Sequence, residues 1–515
     1  MRKLLAILQI FVLMAAMALP TAFAAEAPIM LAGLEAASSS SSTEAQHDWD
    51  TNLFFQTMQE KTGIAFSFTE YVSREAWTEA KTEMLAGEVA MPDMFFKAEL
   101  TPQETLAFYE EGKLIDLRPY LAEYAPHVWA LLEANPEWME AVSLPDGAIV
   151  ALPSINELTP NNTMWINKTW LDRLKMGVPT TAEELTEVLR QFRDRDMNQN
   201  GSRNDEIPLS FVSMWDLRFL AHAFGINADD YYLTEQNGKI SEVLTTEENR
   251  AFLTWLHELY TEGLLDSQGF MAMRLVEAAT SSSSSSSETA KYGVFFGATP
   301  QDVVGVNLAS EYIALAPLLY NGQQVYRDFT GDLYRGTFAI SSTCAEPEKL
   351  LQWVDYLYTD EGFLAAQVGR EGEDYDWNDD GTWAYARTAE EVVAMQGTNT
   401  IWTTSMPSYA SAEIQMKMDD DATHALAAEL MRVRQWEKRA MPLLYLTQEQ
   451  MNRVTELQSG ISTYAETRMA WFVAGDVELN DETWADFCAQ VKALGIDEMV
   501  SIWQTACDNA WHLDK

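Results

Sequence analysis

Short apolar strands alternate with amphipathic helices along most of this chain, and that alternation confines it to layered α/β architectures. Leu53, Phe54, Thr57, Met58 and Lys61 recur at helical spacing and stop at Gly63. Ile64 to Phe68 then reads as a strand, with Ala65 and Ser67 on its opposite face. Ser73 to Leu85 is a second amphipathic helix stopped by Gly87, and Met94 to Phe96 is a short buried strand. Leu114 and Ile115 open another unit, which Arg118-Pro119 closes ahead of a helix around Pro126 to Glu133. The pattern restarts near Thr163: strand Met164 to Ile166, helix Lys168 to Leu174 ended at Gly177, then helix Ala182 to Arg193. Thr181 and Glu184 have capping-box spacing at the start of that last helix. With 515 residues and no tandem repeat, the chain has material for two cores built on mixed or mostly parallel sheets.

The first residues read as an address. Arg2 and Lys3 precede an apolar stretch, Leu4 to Leu19, broken only by Gln9, and Ala22-Phe23-Ala24 supplies the small residues of a cleavage site. Residues 1–24 are therefore expected to be a signal peptide, and no later apolar run has membrane-spanning length. The mature chain is expected outside the cytoplasm, at the cell surface or in the periplasm. No cysteine stands near the cleavage site to carry a lipid. A formal charge of −44, from 78 acidic and 34 basic residues, repels phosphate backbones and anionic headgroups, so nucleic acid is not an expected partner.

Three cysteines, Cys344, Cys488 and Cys507, form no CxxC pair and cannot all close within one chain. Buried free thiols are expected, with a Cys488–Cys507 bridge as the alternative. Two serine runs, Ser38 to Ser42 and Ser281 to Ser287, offer little to bury and read as flexible connections beside strands.

The segment Asp196 to Pro208 places oxygen-bearing side chains at alternate positions and a glycine sixth, as in the first half of a calcium loop. Calcium takes about six to eight hard oxygens, alternate residues of a tight turn point inward, and glycine relaxes the bend at least cost. Asp196, Asn198, Asn200, Ser202, Asp205 and Glu206 are the candidate ligands, and calcium the candidate structural ion. Ile207 stands where an EF-hand has Glu, so the loop is not an EF-hand.

Several segments together resemble family 1 extracellular solute-binding proteins. They are Met91-Pro92-Asp93, Gly112 to Leu117, Trp165 to Lys168, Val178 to Thr181, Asp196 to Pro208, Gly336 to Ile340, Leu357 to Gly362, and Gly369 to Trp377. The last contains the pattern Gly-x-Glu-Gly-x-x-Tyr, and the match runs in order from about residue 48 to the end of the chain. Relative to that family's ion loop this chain has one more residue between Gly201 and Asp205. The resemblance implies a two-lobe, class II periplasmic-binding-protein-like α/β fold whose lobes close over a ligand, often an oligosaccharide. It implies a monomer that hands its sugar to the membrane permease subunits of an ABC importer. On this reading residues 25–43 are a flexible N-terminal segment. Residues 44–158 plus 291–342 make the first lobe, and 159–290 plus 343–515 the second.

A sugar presents C–H faces that stack on aromatic rings and hydroxyls that bond planar polar groups. Seventeen tryptophans supply the rings. Candidates with polar neighbours are Trp49 and Asp50, Trp215 and Asp216, and Glu371, Tyr375 and Trp377, with Asp93 beside a short strand. Trp383, Tyr385 and Trp402 are further options, whereas Trp255, Trp353 and Trp436 lie at helical spacing and read as packing. The rival readings are a secreted glycosidase and a surface glycan-recognition or adhesion protein on the same fold. Glycoside hydrolysis needs two carboxylates at a set separation, which an acid-rich sequence neither displays nor excludes. His257-Glu258 lacks a second histidine at Thr261, and no nucleophile elbow, phosphate loop or dinucleotide fingerprint occurs. The expected protein is therefore not an enzyme.

Overall fold

The computed structural model describes residues 29–36, 49, 51–71, 74–270, 289–328, 331–395, 398–401 and 405–512. The leader, both serine runs, Asp50 and Trp402 lie outside them. Two sheets carry the architecture. The first has six strands in the order β15-β4-β12-β3-β1-β2. These are β1 (Ile29–Ala36), β2 (Ile64–Tyr71), β3 (Met94–Phe96), β4 (Leu152–Asn156), β12 (Leu333–Ile340) and β15 (Tyr409–Ala410). All run parallel except β12, which is antiparallel to both β3 and β4. The second sheet has the order β10-β5-β9-β6, from β5 (Thr163–Asn167), β6 (Ile207–Leu209), β9 (Tyr292–Gly297) and β10 (Tyr312–Ala314). Here β5 is the antiparallel strand. Three two-stranded pairs complete the set: β7 (Leu233–Gln236) with β8 (Lys239–Glu242), β11 (Tyr326–Arg327) with β16 (Glu437–Lys438), and β13 (Tyr375–Trp377) with β14 (Trp383–Tyr385).

The early helix–strand periodicity translates directly. The helix Leu53–Thr62 is capped by Asn52 and ends on Gly63 in the left-handed region, and the apolar stripe buries Phe54, Phe55 and Met58. Thr181 caps the helix Ala182–Asp194 by accepting the Glu184 amide at 3.2 Å, while the Glu184 carboxylate returns to Thr180 instead of to the cap itself. Pro119 does not close its unit. It sits in the first turn of a helix, Arg118–Tyr124, where a missing N–H costs nothing.

Each sheet has its own core. Around the first, Phe55 stacks on Trp353 at 6.2 Å with planes 4° apart, and Phe96 meets the same indole edge-on at 5.7 Å. Around the second, Trp165, Trp170, Leu189 and Phe192 are almost wholly buried with the helices Glu247–Thr261 and Gln448–Ala474. Trp255, Trp353 and Trp436 all pack, as their spacing requires. Removing a side chain the size of Trp353 from such a site costs about 3–5 kcal/mol.

The lobe boundaries differ from the sequence reading in three places. Ile29–Ala36 is not a flexible lead-in but an inner strand, hydrogen-bonded to β2 on one side and β3 on the other. Second, β9 and β10 belong to the second sheet, so of the 291–342 segment only β12 returns to the first. Third, the chain after 343 does not all join the second lobe. The helix Pro347–Asp355 buries Leu350, Leu351, Trp353 and Val354 in the first core, and β15 extends the first sheet. Cys344 and Cys488 are free thiols, so the Cys488–Cys507 bridge does not form.

Candidate functional site

The chain passes between the sheets at 157–162, between β11 and β12, and at 411–420. The first passage leaves the carboxyl end of β4 and enters the amino end of β5. Because β1, β2, β3, β4 and β15 are mutually parallel, their carboxyl ends share one edge with the amino end of β12. Likewise the carboxyl ends of β6, β9 and β10 share an edge with the amino end of β5. Both edges face the crossings. A crevice outside the carboxyl ends of parallel strands is where open α/β sheets bind ligands.

Side chains knit the crossings together. The Tyr326 hydroxyl donates to the Asn162 carbonyl at 3.0 Å and accepts from the Met164 amide at 2.8 Å. Asn161 donates its amide to the Arg327 carbonyl at 2.7 Å and to Glu437 Oε1 at 3.1 Å. The Asn156 amide bonds the Asp332 carbonyl at 2.8 Å, and the Glu157 amide bonds that of Ala410 at 3.0 Å. The junction between the sheets is thus a few backbone segments tied by amides and one phenol.

Trp215 and Asp216 stand on the second wall, just past β6. Ser213 caps the short helix Met214–Leu217 by accepting the Trp215 amide at 3.2 Å. Asp216 is buried, accepting from the Asn162 side chain at 3.0 Å and the Val212 amide at 2.8 Å. Burial holds its carboxyl above the usual range, so it braces the loop against the crossing. The Trp215 indole N–H donates to Asp230 Oδ1 at 2.8 Å, and Arg327 Nη2 reaches the same oxygen at 2.6 Å. The Arg327 guanidinium lies 5.0 Å from the Phe219 ring centroid and 5.5 Å from that of Trp215.

Trp49 stands on the first wall, in the chain following β1, 2% exposed, with the Lys97 ammonium 4.8 Å from its ring. Lys97 and Glu99, at the carboxyl end of β3, hold φ of 53° and 48°, a costly conformation for residues with side chains and one that clusters at functional sites. Tyr334, 46% exposed at the amino end of β12, adds an open aromatic face on the same edge. Asp93 is elsewhere: it precedes β3, on the edge away from the crossings, where its carbonyl accepts the Ser341 amide at 3.1 Å. Tyr375 and Trp377 belong to the β13–β14 hairpin and Glu371 to the turn before it, and the hairpin has its own small core of Phe363, Leu364, Trp383 and Ile414. Tyr375 is buried there, its phenol pushed up to about 12 by burial first and Glu371 second, while Trp377 is 39% exposed. The eight candidates thus do not form one cluster. Trp215 and Asp216 share the second wall and Trp49 the first. The hairpin trio is fastened to the 411–420 passage, where the Trp383 amide donates to the Lys417 carbonyl at 2.7 Å and its indole to that of Ile414 at 2.9 Å. Asp93 sits on the far edge, and Asp50 lies outside the described residues.

Sequence reasoning passed over Asn161, Asn162, Asp230, Arg327 and Tyr334. The doublets Asn161-Asn162 and Asp229-Asp230 were visible signals, but only the fold sets them beside Trp215.

In the ion loop, both Asp196 oxygens accept backbone amides, from Asn200 at 3.1 Å and Gly201 at 2.9 Å. Gln199 and Gly201 take φ of 60° and 91° to make the bend. The extra residue does not carry Asp205 away: its Oδ2 receives the side-chain amides of Asn198 at 3.2 Å and Asn200 at 2.5 Å. Hydrogen bonds, chiefly from Ser202, hold the Asp205 carboxyl below its usual range. Glu206 Oε1 accepts the Met197 amide at 2.7 Å, whereas its Oε2 is closed to solvent and receives no hydrogen bond. Among the described residues no group of three or more His, Cys, Asp or Glu is poised on a metal. This loop's donors are a mixture of carboxylates, amides and a hydroxyl, which suits a hard cation.

No family model matches the chain. It is 24% identical over 503 residues to the fructooligosaccharide ABC transporter substrate-binding protein FusA of Streptococcus pneumoniae, covering 91% of this chain and 89% of that one. An extracellular solute-binding protein from Bifidobacterium longum subsp. infantis superposes with a TM-score of 0.75 at 22% identity, covering 94% of this chain and 98% of the other. FusA in complex with kestose superposes with a TM-score of 0.67 at 22% identity, covering 93% and 99%. Among the described residues no helix is long and apolar enough to cross a membrane.

Proposed function

Because this chain has the two-lobed fold of the extracellular solute-binding proteins and is similar along nearly its whole length to an ABC-transporter substrate-binding protein, we propose that it captures an oligosaccharide between its lobes. It works outside the cytoplasm as a monomer and hands the sugar to the permease subunits of an importer. The observation that carries this reading is the pair of facing strand edges, joined by three short passages. The aromatic and polar groups of Trp215, Asp230 and Tyr334 near those passages support it. Closure about such passages desolvates the sugar and lets both walls contribute bonds. No catalytic step is part of this reading.

A thermal-shift screen against oligosaccharides, peptides and polyamines, with chromatography of every hit, tests it. Stabilisation by a glycan recovered intact is expected. Cleavage of that glycan would favour the glycosidase reading, and stabilisation by peptides alone would remove the sugar.

The loop Asp196 to Glu206 is proposed to hold calcium as a brace within the second lobe. Support comes from the buried, unbonded Oε2 of Glu206 and the donor mixture around it. Asp196, Asn198, Asn200, Asp205 and Glu206 would supply side-chain oxygens and Ser202 a carbonyl. When bound, the ion neutralises the loop's carboxylates and fixes the turn. It stands apart from the ligand.

A further inference from the structure

Resting on the carbohydrate reading above, we infer that the cleft selects neutral, hydroxyl-rich sugars against uronates, with Asp230 as the residue that sets this choice. The two arginines beside Trp215 are already engaged. Arg327 is 4% exposed, its Nη2 on Asp230 and its Nε on the Ala228 carbonyl at 2.7 Å. Arg218 is 9% exposed; its Nη2 bonds the Asp229 carbonyl, its Nη1 lies 3.7 Å from Asp230, and its guanidinium is 4.1 Å from the Tyr232 ring centroid. Neither arginine is presented to a ligand carboxylate.

What this corner does present is the Asp230 carboxylate, whose side chain keeps 45% of its surface, and the half-buried Trp215 ring. Oδ1 is occupied by the indole and the guanidinium, which fixes the carboxylate and turns the indole through its N–H. An ionised carboxylate accepts hydrogen bonds and donates none, so it rewards a hydroxyl and repels another carboxylate. The chain as a whole, with 78 acidic against 34 basic residues, carries the same sign. Asp230 thus has two jobs. It accepts ligand hydroxyls, and it neutralises Arg327, which without it would become an anion site.

Isothermal titration with two panels tests this: kestose, maltotriose and lacto-N-tetraose against trigalacturonate and triguluronate. Wild type should bind at least one neutral sugar and neither uronate. In Asp230→Asn the best neutral sugar should weaken by about tenfold while uronate binding appears or strengthens, so the neutral-to-anionic ratio falls. A merely structural loss would lower both panels together, and that result would overturn the inference. So would comparable uronate binding by wild type, which decides the matter even if the variant does not fold. Failure of wild type with every sugar, neutral and anionic, overturns the carbohydrate reading and this inference with it. Uronate binding overturns the inference alone.

Discussion

The Trp511 indole lies against the Arg118 guanidinium, 4.4 Å from ring centroid to the guanidinium carbon, and so ties the end of the last helix to the other lobe. That helix, Ile496–Asn509, packs Ile496, Met499 and Trp503 into the second core, whereas Trp511 packs against the first. Arg118 is itself held by the Gly147 carbonyl and, at 2.6 Å, by Ser143. Gly147, at φ 91°, leaves the room the indole needs, since a Cβ there would sit 2.9 Å from the indole nitrogen. Trp511→Ala should cost about 2 kcal/mol, from lost ring burial and the cation–π contact. Amide exchange along 496–509 should speed, and Trp511→Phe should lose less. Unchanged exchange in the alanine variant would mean the tail does not strap the lobes.

Millimolar calcium should raise the melting temperature of wild type by about 5 °C, the size expected when a ligand is present far above its dissociation constant. Asp196→Ala removes the oxygens that organise the Asn200 and Gly201 amides, and Glu206→Gln removes charge next to a closed-off oxygen. Both variants should lose the calcium shift, and magnesium should give little of it, because its smaller shell demands stricter geometry. A wild-type melt insensitive to calcium after chelator treatment would remove the ion.

Much of the local fold was legible because apolar spacing and turn residues act over a few positions. Leu53–Thr62 with Gly63, Met94–Phe96 and Ala182–Asp194 all came from such patterns. Lobe membership was not, because it depends on which face each element buries across long separations. Nothing near Pro347 says that Trp353 will meet Phe55, and nothing in Ile29–Ala36 says which strands will flank it. The site divided in the same way. Trp215 and Asp216 drew notice through their polar neighbours, but only the fold sets Asp230 and Arg327 beside them. Glu371 to Trp377 drew notice through a motif whose glycine has a packing reason: a Cβ on Gly369 would lie 2.5 Å from the buried Asp374 carboxylate, which takes Arg387 at 2.7 Å.

Glu437 makes the junction between the sheets sensitive to pH. Burial first, and Asp328 among its neighbours, push its carboxyl up to about 7, against opposing help from Asn161 and Arg434. The folded state therefore holds a proton between pH 4.5 and about 7 that the unfolded chain has released. Stability from this group is fully present below pH 4.5 and is lost as pH rises through about 7. Glu437→Gln keeps an oxygen for the Asn161 amide and removes the charge. It should match wild type near pH 4.5 and gain up to about 3 kcal/mol above pH 7. Urea melts at pH 4.5, 6 and 8 read the difference, and a gain that does not grow with pH would count against the assignment.

Gly336 is a position in the first lobe that cannot take a side chain without displacing backbone. It sits at φ 76° where the β12–β4 register shifts between Tyr334 and Phe338. An added Cβ would land on the Leu100 carbonyl, well inside contact distance. The same glycine accepts the Leu100 amide at 2.9 Å, and Thr337 accepts that of Ala98 at 3.3 Å, so the bulge holds the strained Lys97–Thr101 loop against the sheet. Gly336→Ala must therefore bear left-handed strain and also push backbone from backbone, together about 3 kcal/mol or more. The loop carrying Lys97 and Glu99 stands on the first wall of the cleft, so ligand affinity should fall along with melting temperature. Gly238→Ala is the control: its φ is 79° and nothing lies within 4 Å of the added carbon, so it bears the strain without the clash. Comparable losses in the two variants would mean that conformation alone, and not the Leu100 contact, fixes glycine at 336.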